Sequence, residues 1–169
     1  SGDIMMDFNI KRFVSWHNKK NNSIASIVVH PSDHIFDSDL VSVSGDDKIV
    51  SLFIKPHASG QNFQNLGISS ISILSPKIFR YIKKDIKLDF EKDVLSLALK
   101  KNNNLYAYKT PEYIKDMGTP ERLKMVRKDY ISGKIKRYNL KNKRPAIFLD
   151  RDGVINYEVD QLSKIENLK

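Results

Sequence analysis

Residues 23–30 read Ser-Ile-Ala-Ser-Ile-Val-Val-His, and no other stretch limits the fold as much. Ile24, Ile27, Val28 and Val29 favour extended backbone, because branched β-carbons pack well on a pleated surface and crowd a helix. The run is strongly β-branched, so it predicts a central strand. Pro31 has no N–H for a ladder and stops it.

The flanking pattern supplies the partners. Asp7 is placed to cap a helix over residues 8–20, with Ile10, Phe13, Val14 and His17 on one stripe and His17 at the core edge. Residues 40–44 and 48–54 flank Gly45-Asp46-Asp47 and predict two antiparallel strands joined by a tight turn. A polar loop over 57–65 leads to a further β run over 68–74. Ser75-Pro76 opens a short helix through Ile82, with proline in the first turn. Residues 89–101 carry Phe90, Val94, Leu97 and Ala98 at helical spacing. Residues 105–108 alternate as a strand, and Thr119-Pro120 starts a last helix to about Tyr130. Strands alternating with helices, with one hairpin among them, predict an α/β fold on a mixed sheet that holds ligands at its strand ends.

Composition narrows the function. A chain of 169 residues with 40% hydrophobic content and no apolar run near eighteen residues predicts a soluble protein with no membrane partner. With no cysteine there are no disulfides or thiolate metal sites, and no signal-peptide pattern is seen, so the cytoplasm is the expected location. The net charge of +9 raises nucleic acid as a partner. Nine basic residues and one acid, Asp129, lie between Lys124 and Arg144, which carries +8 of that charge. Only Tyr130 and Tyr138 interrupt that run, too few for stacking platforms, so a solvated helix end and a basic linker over 132–144 are favoured over nucleic-acid binding. A non-catalytic module that uses this segment for nucleic acid or a protein partner is the alternative. His30 and His34 are spaced as metal ligands could be, but the intervening proline favours a strand end and turn.

Residues 145–156 read Pro-Ala-Ile-Phe-Leu-Asp-Arg-Asp-Gly-Val-Ile-Asn and suggest the opening of another domain. A short apolar run ending in Asp150 and Asp152 fits a buried strand that delivers two carboxylates to a catalytic mouth. Two acids so spaced can divide phosphoryl chemistry, one attacking phosphorus and the other moving the proton. Without that chemistry the run is a strand followed by an acidic turn. The segment resembles the first motif of the haloacid dehalogenase superfamily, and within it the heptose-bisphosphate and histidinol-phosphate phosphatases. The resemblance implies Asp150 as nucleophile, Asp152 as acid/base, and both as Mg²⁺ ligands.

A second resemblance spans roughly residues 1–130. Gly2-Asp3-Ile4-Met5-Met6-Asp7, His30-Pro31-Ser32-Asp33-His34, Asp37-Ser38-Asp39-Leu40-Val41, Lys55-Pro56 and the run from Glu112 through Gly118-Thr119-Pro120 to Leu123 are similar to the sugar-phosphate nucleotidyltransferases. The likeness is to the D-glycero-D-manno-heptose 1-phosphate guanylyltransferases, including forms fused to a heptose-bisphosphate phosphatase. It implies a Rossmann-like, GT-A-type mixed sheet followed by the first strand of a haloacid dehalogenase-like domain. The expected domains are residues 1–131, a C-terminal part of the transferase, the linker, and residues 145–169, the beginning of the phosphatase.

The implied reaction joins a sugar 1-phosphate to a nucleoside triphosphate, GTP by this likeness, with release of pyrophosphate. Asp3 and Asp116 would share one Mg²⁺ although 113 positions separate them. Lys55 would hold the sugar phosphate as a point charge. Taken alone, Lys55 is a solvated strand end and Asp116 an acidic turn. A glycine-rich phosphate loop is not found before Asp3, Ile54 stands where the family has an acid, and its Asn-Ala-Gly is either replaced by Ser69-Ser70 or displaced to Asn65-Leu66-Gly67. The chain is therefore expected to be the acceptor-side part of a bifunctional enzyme of nucleotide-activated heptose synthesis, with little activity alone. A homo-oligomer remains open.

Overall fold

The computed structural model describes residues 2–57, 62–151 and 153–157. Its strands are β1 (Ile4–Asp7), β2 (Ser23–His30), β3 (Leu40–Val43), β4 (Ile49–Phe53), β5 (Gly67–Leu74), β6 (Asn104–Lys109) and β7 (Tyr113–Asp116). Its α-helices are α1 (Ile10–His17), α2 (Ser96–Lys100), α3 (Pro120–Ile131) and α4 (Lys134–Tyr138). Five strands form a mixed sheet in the order β4-β3-β5-β2-β6, and β1 pairs with β7 in a separate ribbon. Parallel pairing of β2 with β6 and antiparallel pairing of β2 with β5 make the sheet mixed, as the alternation of elements predicts.

β2 has neighbours on both sides, and both of its faces are covered. Ile27 and Val29 belong to a core with Val94, Leu95, Ala98 and Leu105, while Val28 faces Phe13, Tyr108 and Ile114. The predicted hairpin forms as β3 and β4, and its turn continues onto the far edge of the sheet. The Ala107 N–H donates to the Asp47 carbonyl at 2.9 Å, and Asp47 pairs with Lys109 at 2.7 Å and Lys20 at 3.4 Å.

Four local expectations change. Asp7 does not cap α1; it ends β1 opposite Tyr113, and Asn9 caps instead, its side chain accepting from the Arg12 N–H at 3.1 Å. The covered face of α1 is set by Phe13 and Trp16, with Ile10 and Val14 outward. Residues 89–101 begin as a π-helical segment, Phe90–Leu95, before α2. Its wider turn rotates the apolar face so that Leu95 is buried and Leu97 exposed. The segment over 132–144, expected to be a linker, holds α4. Gly133 takes the left-handed conformation (φ 72°) that turns the chain back, and Ile135 is buried against Tyr113 and Val126.

The run Ile147-Phe148-Leu149, expected as a strand, is in neither sheet. The three residues are 83%, 94% and 61% exposed. A strand needs a neighbour for its N–H and C=O groups, and the described residues offer this run none. Among the described residues no helix is long and apolar enough to cross a membrane.

Candidate active site

The β1–β7 ribbon solves the separation of the two aspartates. Ile4 lies opposite Asp116, and the Met117 N–H donates to the Asp3 carbonyl at 2.7 Å, so the end of one strand meets the end of the other. Gly118 follows at once. A Cβ at that position would stand 3.1 Å from Asp116 Oδ1 and 3.1 Å from Asp3 Oδ2, so the two oxygens are at most twice that distance apart. The missing side chain leaves the space between two carboxylates open.

Gly118→Ala is accordingly expected to push the acids apart, and if they hold a divalent cation to weaken its binding about tenfold, since ligand placement of a few tenths of an ångström matters to a small hard ion. Isothermal titration with Mn²⁺ checks this. An unchanged affinity would show that Gly118 does not shape a metal site.

Past Gly118, Thr119 Oγ1 accepts from the Arg122 N–H at 3.2 Å and caps α3, with Pro120 in the first turn as the sequence predicts. The cap fixes where Arg122 emerges. Its Nη1 lies 2.7 Å from Asp116 Oδ2, and its Nη2 lies 3.5 Å from Asp37 Oδ2. Lys55 Nζ lies 3.4 Å from the other oxygen of Asp37. The Lys55 N–H donates to Asp39 Oδ1 at 2.9 Å. Lys115 pairs with Asp33, which holds that carboxyl below its ordinary range.

These groups line one cleft of about 590 Å³, together with His30, Glu91, Glu112 and Lys134. Burial, more than any other influence, lowers the pKa of His30, whose Nδ1 is 2.9 Å from the Pro31 carbonyl. Burial raises that of Glu91. The cleft therefore offers fixed cations beside carboxylates, a setting for an anionic ligand and a hard cation together.

Asp3, Asp116 and Lys55 thus share one cleft. Asp150 does not line it; its side chain is exposed and accepts from the Arg151 N–H at 2.7 Å. Asp152 lies outside the described residues. Sequence reasoning gave no role to Arg122, Asp37 or Glu112, although each lies in a motif it singled out. A basic residue three positions after a capping threonine was the available signal for Arg122, because that position projects back over the helix start.

The nucleotidyl transferase family profile matches residues 1–133. The chain belongs to this family. Among curated relatives, the glucose-1-phosphate adenylyltransferase of Clostridium novyi is 28% identical over 141 residues, covering 79% of this chain and 36% of that protein. The Clostridium acetobutylicum enzyme of the same name is 29% identical over 130 residues, covering 73% and 33%. The chain thus spans about a third of the length of these relatives. Among solved structures, HddC from Yersinia pseudotuberculosis superposes with a TM-score of 0.56 at 26% identity, covering 76% of this chain and 52% of that one. A putative glucose-1-phosphate thymidylyltransferase from Bacillus anthracis has a TM-score of 0.60 at 19% identity over 73% and 50%, a likeness of fold.

Proposed function

We propose that the chain is the acceptor-side part of a sugar-1-phosphate nucleotidyltransferase, acting on a heptose 1-phosphate with GTP as nucleotide donor. The observation that carries this is the β1–β7 register, which sets Asp3 and Asp116 on either side of Gly118 at a cleft that also holds Lys55 and Arg122. Family membership and the sugar-phosphate adenylyltransferase relatives support the reaction class. The heptose and guanylyl assignments rest on the motif likeness.

Among the described residues no group of three or more His, Asp or Glu gathers as a metal site. Two carboxylates fit Mg²⁺ nevertheless, because that ion keeps water and phosphate oxygens and takes only one or two protein acids. Asp3 and Asp116 would hold it. When bound, Mg²⁺ supplies positive charge against the phosphoryl oxygens of the nucleotide. Lys55 and Arg122 hold the sugar phosphate, and the rigid ends of β1 and β7 fix its attacking oxygen for in-line displacement of pyrophosphate.

We further read residues 145–169 as the opening of a haloacid dehalogenase-type phosphatase domain, with Asp150 as nucleophile and Asp152 as acid/base. Ligand-observed NMR with heptose 1-phosphate and glucose 1-phosphate tests the transferase reading. Binding of the heptose phosphate is expected, weakened about tenfold by Lys55→Gln. Failure of both sugars to bind would sink it. In a protein carrying both activities, Asp150→Asn is expected to abolish phosphatase turnover and spare nucleotidyl transfer. Loss of transfer in a folded variant would show the two-domain assignment to be wrong.

A further inference from the structure

The cleft contains a continuous line of ion pairs. Lys55 meets Asp37, Asp37 meets Arg122, and Arg122 meets Asp116, which also accepts from the Gly118 N–H at 2.5 Å. Arg122 therefore joins a group read as a phosphate holder to a group read as a metal ligand. Its two Nη atoms are divided between two carboxylates. A guanidinium 2.7 Å from Asp116 cancels much of the charge that a dication would seek there. Asp37 occupies Lys55 and Arg122 in the same manner, where a phosphate would bind. A phosphate monoester carries more charge than Asp37 and matches the planar guanidinium fork.

We propose that Arg122 is a switch between the two halves of the site: it neutralises Asp116 until a sugar phosphate displaces Asp37 and draws the guanidinium away, so that sugar phosphate and divalent cation each promote binding of the other. The inference rests on the transferase reading of the cleft. Reciprocity follows from linkage: a cation that takes Asp116 frees Arg122 for phosphate by the same factor. Arg122 thus contacts the sugar phosphate directly and acts on the cation through Asp116. The arrangement also explains why Asp37 lies between two cations while two-thirds exposed: it holds both at the cleft until a stronger anion replaces it.

A phosphate that ligated the metal directly would also produce coupling, so the test must isolate Arg122. Mn²⁺ affinity is measured by electron paramagnetic resonance with and without saturating heptose 1-phosphate or glucose 1-phosphate. In the unmodified chain the sugar phosphate is expected to tighten Mn²⁺ about tenfold, within the usual range of such couplings. In Arg122→Gln, Mn²⁺ alone is expected to bind about tenfold tighter than in the unmodified chain, sugar phosphate alone to bind more weakly, and the coupling to shrink to about twofold. A merely structural arginine would not move the two affinities in opposite directions.

Asp37→Asn tests the displacement step at the exposed end of a single 3₁₀ turn, Ile35–Asp37, and sugar-phosphate affinity is expected to rise about threefold. If Arg122→Gln keeps the circular dichroism of the unmodified chain but leaves Mn²⁺ affinity unchanged or weaker, the switch is overturned while the transferase reading stands. No rise in Asp37→Asn overturns the displacement step. No binding of either sugar phosphate to the unmodified chain overturns both the reading and the switch.

Discussion

Asp116→Asn is expected to lower nucleotidyl transfer on the order of 10³-fold in the protein that carries these residues, while leaving its fold intact. On the proposed reading Asp116 holds a metal at the reacting phosphoryl group, and removing such a charge forfeits several kcal/mol, each 1.36 kcal/mol being tenfold in rate. The fold should tolerate the change because the Asp116 side chain is half exposed. Asparagine can still accept from the Gly118 N–H through its amide oxygen, so the turn into α3 is retained. Pyrophosphate release at saturating substrates measures the loss, and Asp3→Asn should match it within about tenfold. A loss below about tenfold in both variants would mean that the paired acids do not hold the reactive cation.

The largest stability effect is expected at a different acid. Glu112 is 3% exposed, and its carboxylate ties three separate parts of the chain together. Oε1 accepts from the Asn9 N–H at 3.0 Å and the Leu140 N–H at 2.8 Å, and Oε2 accepts from Thr110 Oγ1 at 2.9 Å. The start of α1, the segment after α4 and the entry to β7 are thereby fixed to one side chain. Glu112→Ala would leave two backbone donors without an acceptor inside the protein, at a cost of about 3–5 kcal/mol. Glu112→Gln keeps one acceptor oxygen and should lose less. Urea unfolding followed by circular dichroism checks both. An alanine variant within about 1 kcal/mol of the unmodified chain would show that water replaces the lost carboxylate.

Asp116 and Glu112 differ in how much of their role local sequence carries. Asp116 was readable as a candidate because it sits in a long motif before Gly118-Thr119-Pro120, and motif, turn and cap are all local. Glu112 was not readable as a clamp. Its partners Asn9 and Leu140 lie 103 and 28 positions away, and neither supplies a side chain to the bond. Backbone donors leave no mark in residue identity.

The same division runs through the fold. β2 was legible with its correct bounds because eight consecutive, largely β-branched residues favour one conformation, and the structure shows it buried on both faces. The β3–β4 hairpin and the Thr119 cap were legible because their signals are a few residues long. β1 was not. Four residues, Ile4 to Asp7, carry too weak a pattern to declare a strand, and the partner that makes them one lies at Tyr113 to Asp116. The misreading of Asp7 as a helix cap follows directly: an aspartate before an apolar stripe satisfies the local rule, and only the distant strand claims it.

Sequence by itself determined the layered α/β character, the central strand, the Thr119 cap and the acidic and basic residue types that line the cleft, since each rests on short-range periodicity or on chemistry carried by single side chains. Tertiary structure alone decided that Asp3 and Asp116 end adjacent strands around Gly118, that Arg122 divides its charge between Asp116 and Asp37, and that Glu112 ties together segments remote in the chain. The physical reason is that pairing register and ion-pair partners depend on which remote segments meet, and the free energy that selects those meetings comes from burying the shared core, to which no local pattern has access.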